Sequence, residues 1–426
     1  MSGSTIGTLQ LRPFRGVRYA AHADLARVIA PPYDVIDDAQ QQALEARDEH
    51  NVVRVILPRE PQDRSVDRYT SAAHLFDHWL SEGFLIVDGS PALYVYQQTR
   101  AGQVIQRGLV GAVVMQPLDG GVILPHENVR VGPVEDRLAL MRALHGNPEP
   151  IFLLYDGGGP ASDRCAEAVR SPVLATAMTE DGTQHDLWAI TDEASLAVIA
   201  DDLAGRHAMI ADGHHRYTTY GYLRDELRNA GAGNGPWDAG LTLLVDNSVA
   251  TPDIRAIHRV VPGLSFATAL SAAERGFRVR ELGAEVTDVE SALDVLRLQP
   301  APAFVISDGS RFALLVDPDA RQLAAAKPPA ASPQWWALDA SIASEFVLAA
   351  LWQVTDAAGE VEAEHSPQAA LELARRTNGT ALLLNPAPLE AVMAVASVGA
   401  AMPRKSTLFL PKPQSGMVMR LFRFDA

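Results

Sequence analysis

Apolar residues in this chain come only in short runs. The clearest are Leu109 to Met115, Ile151 to Tyr155 and Leu241 to Val245, each followed by a polar or turn-forming residue. Runs of that length suit strands buried on both faces and fall well short of the ~18 residues of a membrane helix. Between them the periodicity changes. Tyr69, Ala72, Leu75, Phe76, Trp79 and Leu80 recur at spacings of three and four, which predicts a helix stopped by Gly83. Strands of period two and helices of period 3.6 in one chain give the fold class α+β, or mixed α/β.

Length and charge narrow the function. At ~150 residues per domain, 426 residues make about three domains or two large ones. Cys165 is the single cysteine, so the chain can form no intramolecular disulfide and no multi-cysteine zinc site. The opening Met1-Ser2-Gly3-Ser4-Thr5 lacks the basic-then-apolar plan of a secretory signal. A cytoplasmic protein without a membrane partner is therefore expected. With 36 basic against 52 acidic residues the net charge is −16, which argues against nucleic acid, because that affinity comes from neutralising phosphates.

Further elements follow from local pattern. Val52 to Leu57 is β-branched and ends at Pro58, which predicts a strand. Leu93 to Gln97 and Gln106 to Val114 read as strands paired across Ala101-Gly102. A helix is expected around Cys165, with strands over Asp186 to Ile190 and His207 to Ala211. Helices are expected from Asp192 to Leu203 and from Gly213 through Leu227. Lys327 to Pro333 reads as an exposed loop. The cluster Asp156-Gly157-Gly158-Gly159-Pro160 is the best domain boundary. The expected division is 1–160, 161–262 and 263–426, in two or three lobes.

Polar residues are densest at Asp212-Gly213-His214-His215-Arg216-Tyr217, where an apolar strand runs into an amphipathic helix. Such a turn aims free backbone N–H groups at whatever occupies the helix start, which suits phosphate. Gly213 permits the turn, Arg216 adds a fork of donors, and Asp212 could bind magnesium, orient a histidine or simply cap the helix. Pro31-Pro32-Tyr33-Asp34 fixes an extended turn able to present Tyr33 and Asp34 to a pocket, with Asp34 or Asp37 free to cap the next helix. His126-Glu127 lies at a strand end, where the carboxylate could serve as a general base or metal ligand. Arg137 stands near a helix start that has no electrostatic need of a cation. Arg404-Lys405-Ser406-Thr407, with Lys412 beyond, is a basic exception in an acidic chain and a candidate anion clamp. Trp335, Trp336, Phe346 and Trp352 read as core, and Cys165 as a small buried hydrophobe.

Asp-Gly-His-His-Arg-Tyr resembles the nucleotide-binding turn of the ParB and sulfiredoxin superfamily, which includes free serine kinases. Taken with Pro31 to Ile36, His126-Glu127-Asn128, Glu135-Asp136-Arg137, His258-Arg259 and Met402 to Thr407 with Pro411-Lys412 and Ser415-Gly416, the chain resembles the bacterial and archaeal family of domain of unknown function 1015 from about Leu11 to Phe424. Asn128-Val129 replaces the lysine and threonine usual in relatives, and Ile257 replaces a threonine. The resemblance implies a ParB/sulfiredoxin-like lobe and a small-molecule kinase acting on the hydroxyl of free serine or a similar amino acid. ATP, ADP or pyrophosphate would be the donor, with Mg2+ at Asp212 and Glu127. Glu127, Asp212, His214 and Asp34 are then the catalytic candidates. Gly213, His214, His215, Arg216, His258, Arg259, Arg404, Lys405, Ser406 and Thr407 would bind phosphate, and Tyr33, His126 and Arg137 the substrate. A ParB-like nucleotide-responsive regulator and a metal-dependent hydrolase are the competing readings. Homodimerisation is left open.

Overall fold

The computed structural model describes residues 7–61, 65–283, 286–355 and 360–425. The chain divides into two compact units. The first comprises Met1–Pro125, Val129–Pro252 and Pro411–Ala426, and the second His126–Asn128 and Asp253–Leu410.

The first unit is built on a nine-stranded mixed sheet of β1 (Leu11–Arg12), β2 (Leu93–Arg100), β3 (Gln103–Val114), β4 (Ile123–Leu124), β5 (Ile151–Tyr155), β6 (Ala175–Met178), β7 (Thr183–Ile190), β8 (Ala208–Asp212) and β9 (Ala239–Asp246). Their order is β4–β8–β5–β9–β3–β2–β7–β6, with β1 beside β3. The apolar runs read from sequence are the central strands β3, β5 and β9, buried almost throughout. Helices of this unit include α1 (Arg68–Ser81), α2 (Val131–Leu144), α3 (Pro160–Ala168), α4 (Glu193–Ala204) and α5 (His214–Asn229). Leu138 and Met141 of α2 join Tyr217, Tyr220 and Leu223 of α5 in one core with Ile151, Leu153 and Ile210. The other side of α2, Leu140 and Leu144, packs with Phe76 and Trp79 of α1.

Two expectations are corrected. Val52 to Leu57 is not a strand. Val53–Ile56 is a short helix whose start is fixed by Asn51, which accepts from the Val53 N–H at 3.0 Å and donates to the carbonyls of Arg27 and Ile29. Val52, Val53, Val55 and Ile56 are all fully buried, so the segment has no exposed face for alternation to mark. The boundary at Gly157–Pro160 also fails, because strands from both sides of it share the one sheet. Gly157 is there for close approach: a Cβ would fall 1.4 Å from Asp246 Oδ1.

The second unit carries β10 (Asp253–Ala256), β11 (His258–Val261), β12 (Arg278–Leu282), β13 (Phe304–Ser307), β14 (Phe312–Val316), β15 (Glu362–Glu364), β16 (Thr380–Leu383) and β17 (Thr407–Leu410). A six-stranded sheet runs β12–β14–β13–β16–β11–β15, and β10 pairs with β17. The expected cut at 262 therefore falls between elements of one unit, and the expected third domain gives up Pro411–Ala426 to the first. Phe346 and Trp352 are core, as read, while Trp335 and Trp336 stack half-buried. Cys165 is buried.

Gly240 in β9 lies under the Tyr220 ring of α5, where a Cβ would come 2.0 Å from a ring carbon. The Tyr220 hydroxyl in turn donates to the Glu149 and Leu241 carbonyls. Gly240→Ala should therefore cost about 1–3 kcal/mol, the usual range for overpacking, read as a lower urea midpoint. Unchanged stability would show that Tyr220 is not wedged against β9.

Candidate functional site

The site in the first unit begins with a break in strand alternation. Along β8, Ala208 pairs with Tyr155 and Ile210 with Leu153, but Asp212 pairs with Phe152, so Ala211 is an extra residue. A bulge of this kind re-aims the side chain after it. Without it, alternation would send Asp212 the way of Ala208 and Ile210, into the core.

Gly213 follows with φ +89° and is the N-cap of α5, which has no side-chain cap. Only glycine adopts that backbone freely. Asp212 does not cap the helix, as a simple reading allowed. Its Oδ2 accepts from Arg216 Nη2 at 2.6 Å and its Oδ1 from Lys412 Nζ at 2.6 Å. Helix starts in this unit differ: Asp67 accepts two N–H groups of α1 and Asp192 one of α4, whereas α2 and α3, like α5, have no side-chain cap. The positive end of the dipole of the sixteen-residue α5 thus has no side-chain cap.

Lys412 comes from a strap after the second unit. Its ammonium also pairs with Asp34 Oδ2 at 3.2 Å. Burial opposes the charge on Lys412, but Asp212 and Asp34 outweigh it and hold the ammonium above its ordinary pKa. Burial likewise opposes ionisation of Asp34, and Lys412 and Arg216 outweigh it, keeping the carboxyl below the usual carboxylate range. Asp34 does not cap the following helix; Asp37 does, in a capping box with Gln40. The strap is held by the sheet: Gln98 donates to the Lys412 carbonyl at 3.3 Å and receives from Gln106, while the Gln414 N–H reaches the Tyr96 hydroxyl at 3.3 Å. That hydroxyl lies 2.7 Å from His185 Nδ1, and burial pushes the His185 pKa down to about 4.

Beneath the Pro31-Pro32 turn, Tyr33 has the Arg137 guanidinium 4.0 Å and that of Arg216 5.9 Å from its ring centroid. Burial raises the Tyr33 hydroxyl pKa well above its ordinary value. Glu149, 1% exposed, accepts from the Tyr33 N–H at 3.0 Å, Ser415 Oγ at 3.1 Å and Arg137 Nη1 at 3.5 Å. Arg137 is thus a buried organiser of the turn, and its guanidinium makes its contacts with the protein itself.

Several expected roles change with the geometry. Arg216 is 1% exposed and spends its terminal nitrogens on Asp212 and the Pro150 carbonyl, so it is the counter-ion of Asp212 and does not front a phosphate. His214 is buried, and its imidazole does not face solvent. His215 is half-buried; its Nε2 accepts the Arg130 N–H at 3.0 Å, and burial, then Arg130, lower its pKa. Both Asp212 oxygens are satisfied by cations, which does not fit a resident Mg2+, and among the described residues no three His, Cys, Asp or Glu side chains form a metal-holding group. Glu127, the other expected magnesium ligand, belongs to the second unit and accepts from the Lys405 N–H at 3.3 Å.

The remaining candidates assemble within the second unit. Arg259 is buried and donates to the carbonyls of Ile257, Arg404 and Lys405, stapling a loop in which Lys405 has φ +51°. Ser406 donates to the Pro403 carbonyl, and Thr407 lies 3.1 Å from Nε2 of the buried His126. His258 Nδ1 accepts from the Leu384 N–H, and burial, then Arg259 and His365, push its pKa down to about 4. Arg259 therefore shapes the Arg404–Thr407 loop and offers no free fork to an anion. Lys412, grouped with this cluster by sequence, belongs to the first unit.

Residues 11–341 match the family described as protein of unknown function, DUF1015. The chain belongs to that family. In this DUF1015 protein the Asp34 turn and the Asp212–Arg216 turn lie inside the match, whereas Lys412 and the Arg404–Thr407 loop lie beyond it, so the shown coverage is shorter than the sequence resemblance suggested. No curated protein matches the chain. Among solved structures, SbnI from Staphylococcus aureus with a C-terminal truncation aligns at TM-score 0.35 and 14% identity, over 72% of this chain and 85% of that one. A free serine kinase mutant in complex with ADP aligns at TM-score 0.36 and 13% identity, over 76% and 94%. A conserved hypothetical protein from Pyrococcus furiosus aligns at TM-score 0.34 and 12% identity, over 76% and 98%. No helix among the described residues is long and apolar enough to cross a membrane.

Removing Lys412 would leave Asp212 and Asp34 facing each other with Arg216 alone to balance them. Lys412→Met is expected to cost about 3–5 kcal/mol, the range for breaking a buried pair, whereas Asp34→Asn, with its side chain 34% exposed, should cost under about 1 kcal/mol. The Lys412 pKa is raised in the folded state, so its contribution is full below the unfolded value of ~10.5 and is lost as pH rises through the folded value. The Asp34 pKa is lowered, so its contribution is present above ~4 and is lost as pH falls through the folded value. Thermal unfolding against pH should show this alkaline decline in the wild type and a shallower one in Lys412→Met. Equal slopes would remove Lys412 from the network.

Proposed function

We propose that this protein is a phosphotransferase acting on the hydroxyl of a small molecule, with free L-serine the first acceptor to test and ATP, ADP or pyrophosphate as donor. One observation carries the reading: the N-terminus of α5 is left without a side-chain cap while the adjacent carboxylate, Asp212, is neutralised by Lys412 and Arg216. That arrangement admits a polyanion next to an aspartate that would otherwise repel it. The resemblance of the Asp-Gly-His-His-Arg-Tyr turn to those of free serine kinases supports the same chemistry.

Phosphoryl transfer depends on positioning and charge neutralisation more than on covalent catalysis. Backbone N–H groups at Gly213 to His215 would hold the donor's phosphate. Asp34 is the most exposed carboxylate of the Lys412 network and is kept ionised, so it would accept the acceptor's hydroxyl proton as that oxygen bonds to phosphorus and the donor's bridging oxygen departs. It takes this part in place of Glu127 because it shares a unit with the turn. Magnesium would enter as the metal salt of the donor. It would leave Lys412 and Arg216 as the fixed charges.

The test is phosphorus NMR of the protein with serine, magnesium and each donor in turn. O-phosphoserine should accumulate with at least one donor, and Asp34→Asn should slow it by 10²–10⁴-fold, the usual share of a general base. No product with any donor, across serine, threonine and homoserine, would overturn the reading. An Asp34→Asn variant at full rate would overturn that residue's role.

A further inference from the structure

A second cleft in the first unit shares no residue with the turn at Asp212. It has a volume of about 630 Å³ and is walled by Arg12, Arg15 and Arg420, with Phe14, Phe424 and Pro91 as its apolar sides. Its charge balance is unusual for a chain of net charge −16. Two carboxylates line it, Asp238 and Asp425. Asp238 is taken by Arg228 at 2.7 Å and by the Gly235 N–H at 3.0 Å. Asp425 accepts from Arg420 Nε and from the Arg15 backbone N–H. One carboxylate thus remains against three guanidinium groups.

The three arginines are not equivalent. Arg420 is buried and fully engaged: beyond Asp425 it donates to Asn147 Oδ1 at 3.1 Å and to the carbonyls of Ala239 at 2.7 Å and Pro236 at 2.8 Å. It forms the floor of the cleft. Arg15 uses Nε on the Asp88 carbonyl at 2.9 Å, and its two terminal nitrogens donate to nothing among the described residues. Arg12 is exposed at the mouth, in the two-residue strand β1, and pairs with no carboxylate among the described residues. Burial lowers the Arg420 pKa, Asp425 opposes that, and the nearby Arg12 charge lowers it further, so the two guanidiniums repel each other across the cleft. A pair of like charges held together beside apolar walls is relieved by an anion placed between them.

We infer that this cleft binds a small organic oxyanion, a carboxylate or phosphate ester, with its charged end on Arg12 and Arg15 and its apolar body against Phe14 and Phe424. Bidentate donors suit either oxyanion, and the aromatic walls favour a ligand with a flat or apolar body over a bare ion. The site is independent of the proposed phosphoryl transfer, which uses none of these residues.

Isothermal titration with phenyl phosphate and with benzoate separates the two sources. Wild-type protein is expected to bind at least one of them, Arg12→Gln to weaken that binding at least tenfold, and Arg15→Lys to weaken it less. The Arg12 side chain makes no hydrogen bond or ion pair among the described residues, so Arg12→Gln should unfold at the wild-type temperature. Asp34→Asn, which should barely alter stability, should bind as wild type, which separates this cleft from the α5 turn. Benzoate and phenyl phosphate binding equally would assign a general oxyanion site, and preference for one would name the class. No binding of either probe would overturn the inference. So would binding that survives Arg12→Gln or that is lost in Asp34→Asn.

Discussion

The ammonium of Lys412 between Asp212 and Asp34 is the interaction on which the candidate site depends. Three distant parts of the chain, the Pro31–Asp34 turn, the β8 bulge and the C-terminal strap, meet at one nitrogen. Two carboxylates that close would not both stay ionised without a cation between them. Lys412 and Arg216 together supply the cations that face the two carboxylates. A buried ion network is weak evidence for stability, since desolvation offsets much of its attraction. Its value here is geometric: it fixes where Asp212 points and prevents it from closing the α5 N-terminus.

Around that centre the polar contacts divide the labour. Gln98, Gln106, Tyr96 and His185 hold the strap from the sheet, and none of them needs to reach a ligand. Glu149 and Arg137 hold the Tyr33 turn from the other side. Rigid support of this kind holds a site's groups in a fixed geometry. The apolar core sets the frame: α2 and α5 pack on each other and on β5, a strand buried along its whole length.

Much of this was legible in the residues. The apolar runs became central strands because strands buried on both faces leave an unbroken apolar signature. The turn at Asp212–Arg216 and the turn at Tyr33–Asp34 were both singled out, and the first unit brings them together. Roles were harder to read than places. Arg216 looked like a phosphate fork because sequence shows a guanidinium but not the Pro150 carbonyl 2.6 Å away. Lys412 was read with Arg404 and Lys405, since linear proximity hides a unit boundary after Leu410. Glu149 sits between two prolines with no periodic neighbour to mark it, and only its buried partners reveal it. Val52 to Ile56 misled because full burial erases the difference between strand and helix patterns. The glycines at 157–159 read as a linker, although Gly157 answers to the close approach of Asp246.

The central claim is that the start of α5 is open to a phosphate because Asp212 is held away from it. Titration of isotope-labelled protein with pyrophosphate, followed through backbone amide resonances, tests this most directly. The account expects the amides of Gly213, His214 and His215 to shift first and furthest, with saturation. Saturable shifts elsewhere that leave these three amides unmoved would contradict it.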